Sequence, residues 1–205
     1  MKIAELLIAL VVIVVVLVIF VLVFRGESVT DFMKRKPKNE KQEKTVKKPL
    51  QAARRFAAMQ QYQVISPARL AKNGVFADID FIVVGVFGLL CVKCIGLGGE
   101  IYGSAEDTNW LQVLSDNRLS FENPLQKAAA DTRLVRDALF SAKLKSIPVE
   151  TVCVFTNKTA ELAVPRGAGH LTVKEFKSLL SKDRFVTDKK VDIEKAAAAV
   201  KEYLV

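Results

Sequence analysis

An apolar run close to the N-terminus constrains this chain more than any other feature. Residues 6–24 contain no charged side chain, and a helix of that length crosses a hydrocarbon core roughly 30 Å thick. A cleaved secretory signal has a shorter apolar centre and a small-residue cleavage site, whereas this run leads directly into Arg25. We therefore predict a retained transmembrane anchor over residues 1–25. Its apolar span includes Leu6, Val15 and Phe24.

Positive charges follow this run and hardly precede it. Lys2 stands before it, whereas residues 25–55 carry 11 Lys and Arg against 4 Asp and Glu. Because Lys and Arg beside a spanning helix resist translocation, we predict a single-pass membrane protein with its N-terminus outside and its soluble domain in the cytoplasm. The chain has three cysteines, a small and odd number that does not suit a disulfide framework. This number agrees with a reducing compartment.

The basic character of the chain is concentrated in the segment after the anchor. Residues 26–48 are rich in Lys and poor in apolar residues, so we predict a basic flexible linker. Residues 25–55 as a whole carry +7 of the formal charge of +9, which favours anionic lipid head groups as a partner, with nucleic acid as a second candidate. The membrane-surface contacts that we predict are Arg25, Lys34, Arg35 and Lys36.

The folded part is predicted to begin at Pro49, with a helix over residues 49–61. Six strand-like pieces follow, separated by Gly, Pro, Asn and Asp. They cover residues 62–66, 79–84, 89–95 and 100–102, and two flanks of the turn at 115–117. The run at 89–95 is mostly apolar, which is typical of a strand buried on both faces at a sheet centre.

The apolar period changes to that of a helix after Pro124, with Asn123 placed as its N-cap. Residues 149–155 then form an alternating strand, and a strand that follows a helix in this way implies a crossover onto the same sheet. Thr172 and Glu175 have capping-box spacing, and a last helix is predicted over residues 193–203.

Several short motifs occur in a fixed order between residues 67 and 180. They are Asp-Ile-Asp at 78–80 before an apolar strand and a glycine turn, Ile-Tyr-Gly at 101–103, Trp110, Asn-Pro-Leu-Gln at 123–126 and Ile-Pro-Val at 147–149. In this order they resemble the nuclease-related domain, NERD, a family similar to the PD-(D/E)XK nucleases. The resemblance implies an α/β fold with a restriction-endonuclease-like mixed central sheet flanked by helices, here preceded by one transmembrane helix. We place the NERD-like domain at 49–182 and a C-terminal helical extension at 183–205.

The resemblance also implies a metal-dependent site. In the PD-(D/E)XK fold an Asp on one strand and Glu-x-Lys on the next bind a divalent metal that activates water. Asp80 matches the aspartate, but a gap-free alignment puts Lys93 at the Glu position and Ile95 at the Lys position. A Lys there removes a metal ligand and adds a charge that repels the metal. We therefore predict a degenerate site in which Lys93 pairs with Asp80.

Two functions follow from these residues. The preferred one is a membrane-anchored binding or scaffolding module without a cofactor, in which Asp80 and Lys93 are the remnant of a nuclease site. The alternative is an active nuclease that uses Mg²⁺ or Mn²⁺ to cleave DNA or RNA near the membrane. In that alternative Asp80 is the metal ligand, Glu100 is an unusual second carboxylate, and Gln126 is supplied by the helix motif of the family.

The cysteines and the single histidine are predicted to be structural. Cys91 and Cys94 form a C-x-x-C motif, but on a strand their odd spacing points the thiols to opposite faces. Together with Cys153 and His170 they do not match the spacing of a zinc site. His170 follows a Gly-rich loop, and we expect a solvated turn residue there.

Overall fold

The structure is a computed structural model that describes residues 38–115 and 117–205. The predicted anchor over residues 1–25 and the predicted lipid contacts at Arg25 and residues 34–36 lie outside this part of the chain. Among the described helices, none combines the length and the apolar character needed to cross a membrane. The chain divides into two compact units, Met1–Gln42 and Glu43–Val205, and the second carries the sheets and the site described below.

The described helices and strands alternate along the chain, which makes the fold mixed α/β. In chain order they are α1 (Lys38–Gln60), β1 (Gln63–Ile65), β2 (Ala68–Lys72), β3 (Val75–Ile79), β4 (Phe81–Gly85), β5 (Gly88–Ile95), β6 (Gly99–Tyr102), β7 (Asn109–Leu114), β8 (Asn117–Glu122), α2 (Pro124–Ser141), β9 (Val149–Phe155), β10 (Ala160–Ala163), β11 (His170–Thr172), α3 (Val173–Leu180), a 3-10 turn (Asp183–Phe185) and α4 (Ile193–Lys201).

The first helix is longer than the sequence analysis predicted, because it begins at Lys38 and not at Pro49. Part of the predicted flexible linker, residues 38–48, is therefore helical. Lys, Glu and Gln are good helix formers although they are polar, and Glu43 precedes Lys47 by one favourable helical turn. Val46 and Leu50 also pack against the folded domain. Because the segment has few apolar residues, the sequence analysis predicted neither its helix propensity nor its packing against the domain.

A five-stranded sheet forms the centre of the second unit, in the order β1-β4-β5-β9-β11. β4 is antiparallel to β1 and β5, whereas β9 is parallel to β5 and β11. β5 occupies the middle, as its apolar run predicted, and α2 lies on the path that returns the chain from β5 to a parallel neighbour, as the helix-to-strand pattern indicated. The strand prediction for 149–155 is confirmed by β9.

The region predicted as one strand over 79–84 is instead divided at Asp80. Before it, β3 pairs with β2 in a hairpin of its own, and after it β4 joins the central sheet. The hairpin turns at Asn73 and Gly74, which both have positive φ, as a tight hairpin turn requires. The sequence analysis missed β2 because the segment ARLAK mixes charged and small residues.

A four-stranded sheet, in the order β10-β6-β7-β8, packs beside the central one. Its β7–β8 hairpin matches the predicted pair of strands around residues 115–117. Trp110 of β7 is fully buried and stacks on Phe155 of β9 with ring centroids 6.3 Å apart. This contact joins the two sheets through a third apolar core.

Side chains on the two faces of the central sheet form separate cores. One face packs against α2 and α4 and includes Cys91, whereas the other packs against α1 and α3 and includes Cys94. The prediction that these two thiols point to opposite faces is confirmed. Residues 183–205, predicted as an extension, contribute Val200 to the first core and Phe185 to the second, so they belong to the folded unit.

Candidate functional site

Asp80 is held at the start of β4 by a backbone bond to the neighbouring strand. Its N–H donates to the carbonyl of Val92 at 3.1 Å, next to the ladder pair of Phe81 and Val92. This bond places Asp80 beside Lys93 of β5. Asp80 is 5 % exposed, so its charge requires partners within the protein.

The Lys93 ammonium lies between two carboxylates. Its Nζ is 2.9 Å from Asp78 Oδ2 and 3.8 Å from Asp80 Oδ2, and it also donates to the carbonyl oxygen of Asp78 at 2.7 Å. The predicted contact between Lys93 and Asp80 is present, but the shorter ion pair is made with Asp78. Arg69 Nε lies 3.5 Å from the other Asp78 oxygen.

Asp80 has a second donor in the backbone of β5. The N–H of Cys94 donates to Asp80 Oδ2 at 2.6 Å, a short bond of the kind that an ionised acceptor makes. The same carboxylate oxygen therefore faces an ammonium and an amide. These contacts give the buried Asp80 carboxylate two donors within the protein.

A third carboxylate, Asp131 of α2, completes what we call the Lys93 cluster, defined as Asp78, Asp80, Lys93 and Asp131. Asp131 is 8 % exposed, and its Oδ2 is buried without a hydrogen-bond partner. Burial raises the pKa of Asp131, against the opposing charges of Lys127 and Lys93. The nearest of these, Lys127 Nζ, lies 3.9 Å from Asp131 Oδ1.

The sequence analysis did not select Asp131, although its position carried a signal. It lies three residues after Ala128 and four before Val135, both of which are buried on the sheet-facing side of α2. A carboxylate at such a position on an apolar helix face must be buried. We read the helix only for its apolar residues, so an acid at one of its core positions was not selected.

Two further polar side chains continue the row of Lys93 across the sheet. Cys153 of β9 is in register with Lys93, and His170 of β11 is in register with Cys153, so all three share the face covered by α2. The Cys153 thiol donates to the carbonyl of Pro124 at 3.3 Å, and burial raises its pKa to about 12. It is therefore a protonated thiol at neutral pH.

His170 differs from the solvated turn residue that the sequence predicted. It begins β11 and is half-buried, its Nδ1 is buried without a hydrogen-bond partner, and burial lowers the pKa of its imidazole. The Gly-rich segment before it suggested a loop, but pairing with β9 turns the following residues into an edge strand.

The residues at this site do not fit a hard divalent cation. Magnesium requires near-octahedral oxygen ligands, whereas the Lys93 ammonium lies beside both Asp78 and Asp80. Ile95, which the sequence analysis placed at the position of the nuclease lysine, packs beside Trp110 and Phe155 in the third core. Within residues 38–115 and 117–205, no group of three or more His, Cys, Asp or Glu side chains is arranged to hold a metal ion.

Glu100 lies outside the Lys93 cluster. It is in β6 of the four-stranded sheet, where it is exposed and its Oε2 accepts a hydrogen bond from the Tyr102 hydroxyl. Although Glu100 follows β5 closely in sequence, the turn at residues 96–98 carries it into the second sheet. The structure therefore does not bring this candidate carboxylate together with Asp80.

Asn123 and Gln126 bind the loop at residues 104–107 and do not contact the Lys93 cluster through the hydrogen bonds described here. Asn123 Oδ1 accepts from the N–H of Leu125 and caps α2 as predicted, while its Nδ2 donates to the carbonyls of residues 104, 105 and 107 at 2.6–3.2 Å. Gln126 Nε2 donates to the carbonyls of residues 105–107. These bonds give the Asn-Pro-Leu-Gln motif a positioning role.

A shallow groove of about 430 Å³ runs between the β2–β3 hairpin and α2, with Asp131 in its lining. Its other lining residues combine apolar groups with both signs of charge. They are Lys72, Asn73, Val75, Phe76, Ala77, Ala130, Arg133, Leu134 and Asp137. Asp131 is therefore the member of the Lys93 cluster that lines this groove.

The mixed central sheet, flanked by helices on both faces, and the carboxylate–lysine cluster beside it define an α/β protein. The family model described as nuclease-related domain, NERD, matches residues 38–156. This match covers more than half of the chain, and the chain belongs to the NERD family. Comparisons with curated proteins and with solved structures gave no match.

Proposed function

We propose that this protein is a non-catalytic NERD module in which Lys93 occupies the position of the metal-binding carboxylate. The observation that carries the proposal is the position of Lys93 Nζ, 2.9 Å from Asp78 Oδ2 and 3.8 Å from Asp80 Oδ2. An internal ammonium provides the positive charge that these carboxylates need, so a metal would compete with a side chain already in place. We further propose that the central sheet is of the PD-(D/E)XK type, because Asp80 and Lys93 lie on neighbouring strands as the family pattern requires.

The proposed module is a binding or scaffolding domain on the cytoplasmic side of a membrane. Support for the membrane comes from the uncharged run at residues 6–24 and the cations that follow it. Anionic lipid head groups are the expected partner of Arg25 and residues 34–36. The folded domain then acts at the bilayer by contact and not by cleavage.

A metal-binding assay on the full chain in detergent tests the loss of catalysis. We expect no Mn²⁺- or Mg²⁺-dependent shift of the melting temperature and no cleavage of single- or double-stranded DNA or RNA. The double variant Lys93→Glu, Ile95→Lys restores the family pattern and should gain a Mn²⁺-dependent shift. Lys93→Met is the matched control, because it removes the ammonium without adding a ligand.

Metal-dependent cleavage by the wild type, abolished in Asp80→Ala, would refute the proposal and establish the nuclease alternative. Cleavage that also required Glu100 would show that the exposed carboxylate of β6 reaches the substrate after all. Glu122, an exposed acid on β8, provides a control substitution, Glu122→Gln, for nonspecific effects of charge.

Flotation with lipid vesicles tests the anchor independently of the site. The wild type should float with vesicles and resist extraction at high pH. Val15→Lys places a charge at the centre of the apolar run and should weaken insertion by about 3 kcal/mol, whereas Lys47→Val lies outside the run and should float normally. A wild type that stays with the soluble fraction would refute the anchor.

A further inference from the structure

A second surface lies where the β2–β3 hairpin meets the end of α2. Lys72 Nζ donates to Ser141 Oγ at 3.0 Å, and Lys72 faces Val75 across the hairpin. The C-terminal end of α2, with Phe140 next to Ser141, therefore adjoins the hairpin that carries Val75 and Phe76. We call Val75, Phe76 and Phe140, with the cations around them, the tip surface.

The apolar part of the tip surface is strongly exposed. Phe76 is 72 % exposed, Phe140 67 % and Val75 60 %. The hairpin packs through its other residues, since Leu70 and Ala77 are buried in the first core. Three large apolar side chains that are exposed on the hairpin and on the adjoining end of α2 indicate a contact surface.

Cations surround these apolar side chains. The exposed or half-exposed basic residues on the hairpin, the C-terminal half of α2 and the loop after it are Arg69, Lys72, Arg133, Arg136, Lys143 and Lys145. The acids of these segments are the exposed Asp137 and the half-exposed Asp78, which pairs with Arg69 and Lys93, and the buried Asp131 lines the groove. The tip surface therefore combines protruding apolar groups with an excess of positive charge.

We propose that the tip surface docks on an anionic lipid bilayer. Apolar side chains that enter the head-group region, with Lys and Arg beside them, are the composition of an interfacial membrane contact, and the positive charge complements anionic lipids. Single-stranded nucleic acid fits less well, because it needs aromatic faces along a basic groove. Val75 offers no stacking face, and the groove beside it is lined by Asp131 and Asp137 as well as by Lys72 and Arg133.

This inference rests on the proposed membrane attachment, which keeps a bilayer within reach of the domain. Its consequence is orientation. With the tip surface on the lipid, the β2–β3 hairpin and the C-terminal end of α2 face the membrane, which gives a tethered module one fixed presentation to its partners.

Tryptophan fluorescence on the full chain tests the contact. The variant Phe76→Trp is reconstituted into vesicles that contain phosphatidylglycerol and brominated acyl chains, which quench an inserted indole. We expect a blue shift and a loss of emission beyond the signal of the native Trp110, which is buried and present in every sample. Met59→Trp is the matched control, because Met59 is 73 % exposed on α1 and should be unaffected.

Charge and lipid composition provide the second arm. Quenching of Phe76→Trp should fall in vesicles of phosphatidylcholine alone, and also when Arg133→Gln and Lys143→Gln are added. The pair Lys174→Gln, Lys177→Gln removes two exposed cations from α3 and should leave the quenching unchanged.

Three results overturn the proposal. The first is equal quenching of Phe76→Trp and Met59→Trp. The second is quenching of Phe76→Trp that does not depend on the anionic lipid content of the vesicles. The third is a spectral response of Phe76→Trp to a single-stranded oligonucleotide in place of lipid. Failure of the anchor has a different signature, since the wild type then does not float. In that case vesicles added to the detergent-free chain still test the tip surface.

Discussion

At the scale of single residues, one side chain sets the electrostatic balance of the candidate site. Lys93 is part of an otherwise apolar strand, and its side chain, 19 % exposed, places the ammonium between Asp78 and Asp80. A buried carboxylate such as Asp80 is costly without a positive partner. Lys93 is therefore a structural counterion, whatever else the site does.

The variant Lys93→Met should destabilise the fold by about 3 kcal/mol, because removal of one partner leaves buried negative charge uncompensated. Urea denaturation of the full chain in detergent measures this difference. Lys127→Met is the control, since Lys127 is half-exposed and 3.9 Å from Asp131, and it should cost no more than about 1 kcal/mol. Equal effects for the two lysines would contradict the assignment of Lys93 as the counterion.

Asp131 predicts a particular dependence of stability on pH. Its pKa is raised above 3.8 in the folded state, so its contribution to stability is complete below that value and is lost as the pH rises through the raised pKa. Asp131→Asn cannot ionise. Its melting temperature relative to the wild type should therefore increase as the pH rises from about 4 through the raised pKa, whereas a difference independent of pH would show that ionisation of Asp131 has no part.

At the scale of elements, the start of α2 depends on one buried amide. Asn123 is fully buried, and it caps the helix with its oxygen while its nitrogen donates to three carbonyls of the loop before β7. A residue that is all acceptor or all apolar cannot do both. The Asn-Pro-Leu-Gln motif therefore joins α2 to this loop.

We expect Asn123→Ala to cost about 3 kcal/mol, from the lost cap and the unsatisfied carbonyls together. Asn123→Asp should cost at least as much, because it keeps the cap but turns a carboxylate oxygen toward carbonyl oxygens. Thermal melts of both variants provide the comparison. Thr172→Ala, which removes the partly exposed cap of α3, should cost about 1 kcal/mol, and an aspartate variant as stable as the wild type would contradict the role of the amide nitrogen.

At the scale of the whole molecule, the three thiols report opening of the fold. Cys91, Cys94 and Cys153 are buried, and burial raises the pKa of Cys91 and Cys153 to about 12 and also raises that of Cys94. Since the thiolate is the reactive form, the native protein should resist a disulfide reagent near neutral pH. The thiols should become reactive over the same urea range in which circular dichroism reports unfolding. Rapid labelling of one thiol in the native protein would show local opening of its core.

Much of the element order followed from the sequence, because its signals are local. The apolar run of β5, the capping Asn before α2 and the box of Thr172 with Glu175 each depend on neighbours within one element. The predictions failed where local composition and tertiary contact disagree. The polar segment 38–48 is part of α1, and ARLAK forms β2 because β3 pairs with it.

In the site too, some features were predicted from the sequence and others were not. Sequence spacing and family resemblance placed Lys93 next to Asp80, because neighbouring strands joined by a short turn have a definite register. The sequence could not show that Asp78 is the closer partner, that Asp131 approaches from α2, or that Glu100 lies in another sheet. These facts depend on how distant segments pack.

By itself the sequence determined the mixed α/β class and the central strand, since these depend on residue type and spacing. Only the tertiary structure decided which carboxylates surround Lys93 and which apolar side chains stay outside the core. The physical reason is that charge pairing and burial depend on distances between residues far apart in the chain. A one-dimensional pattern specifies those distances only within an element or across a short turn.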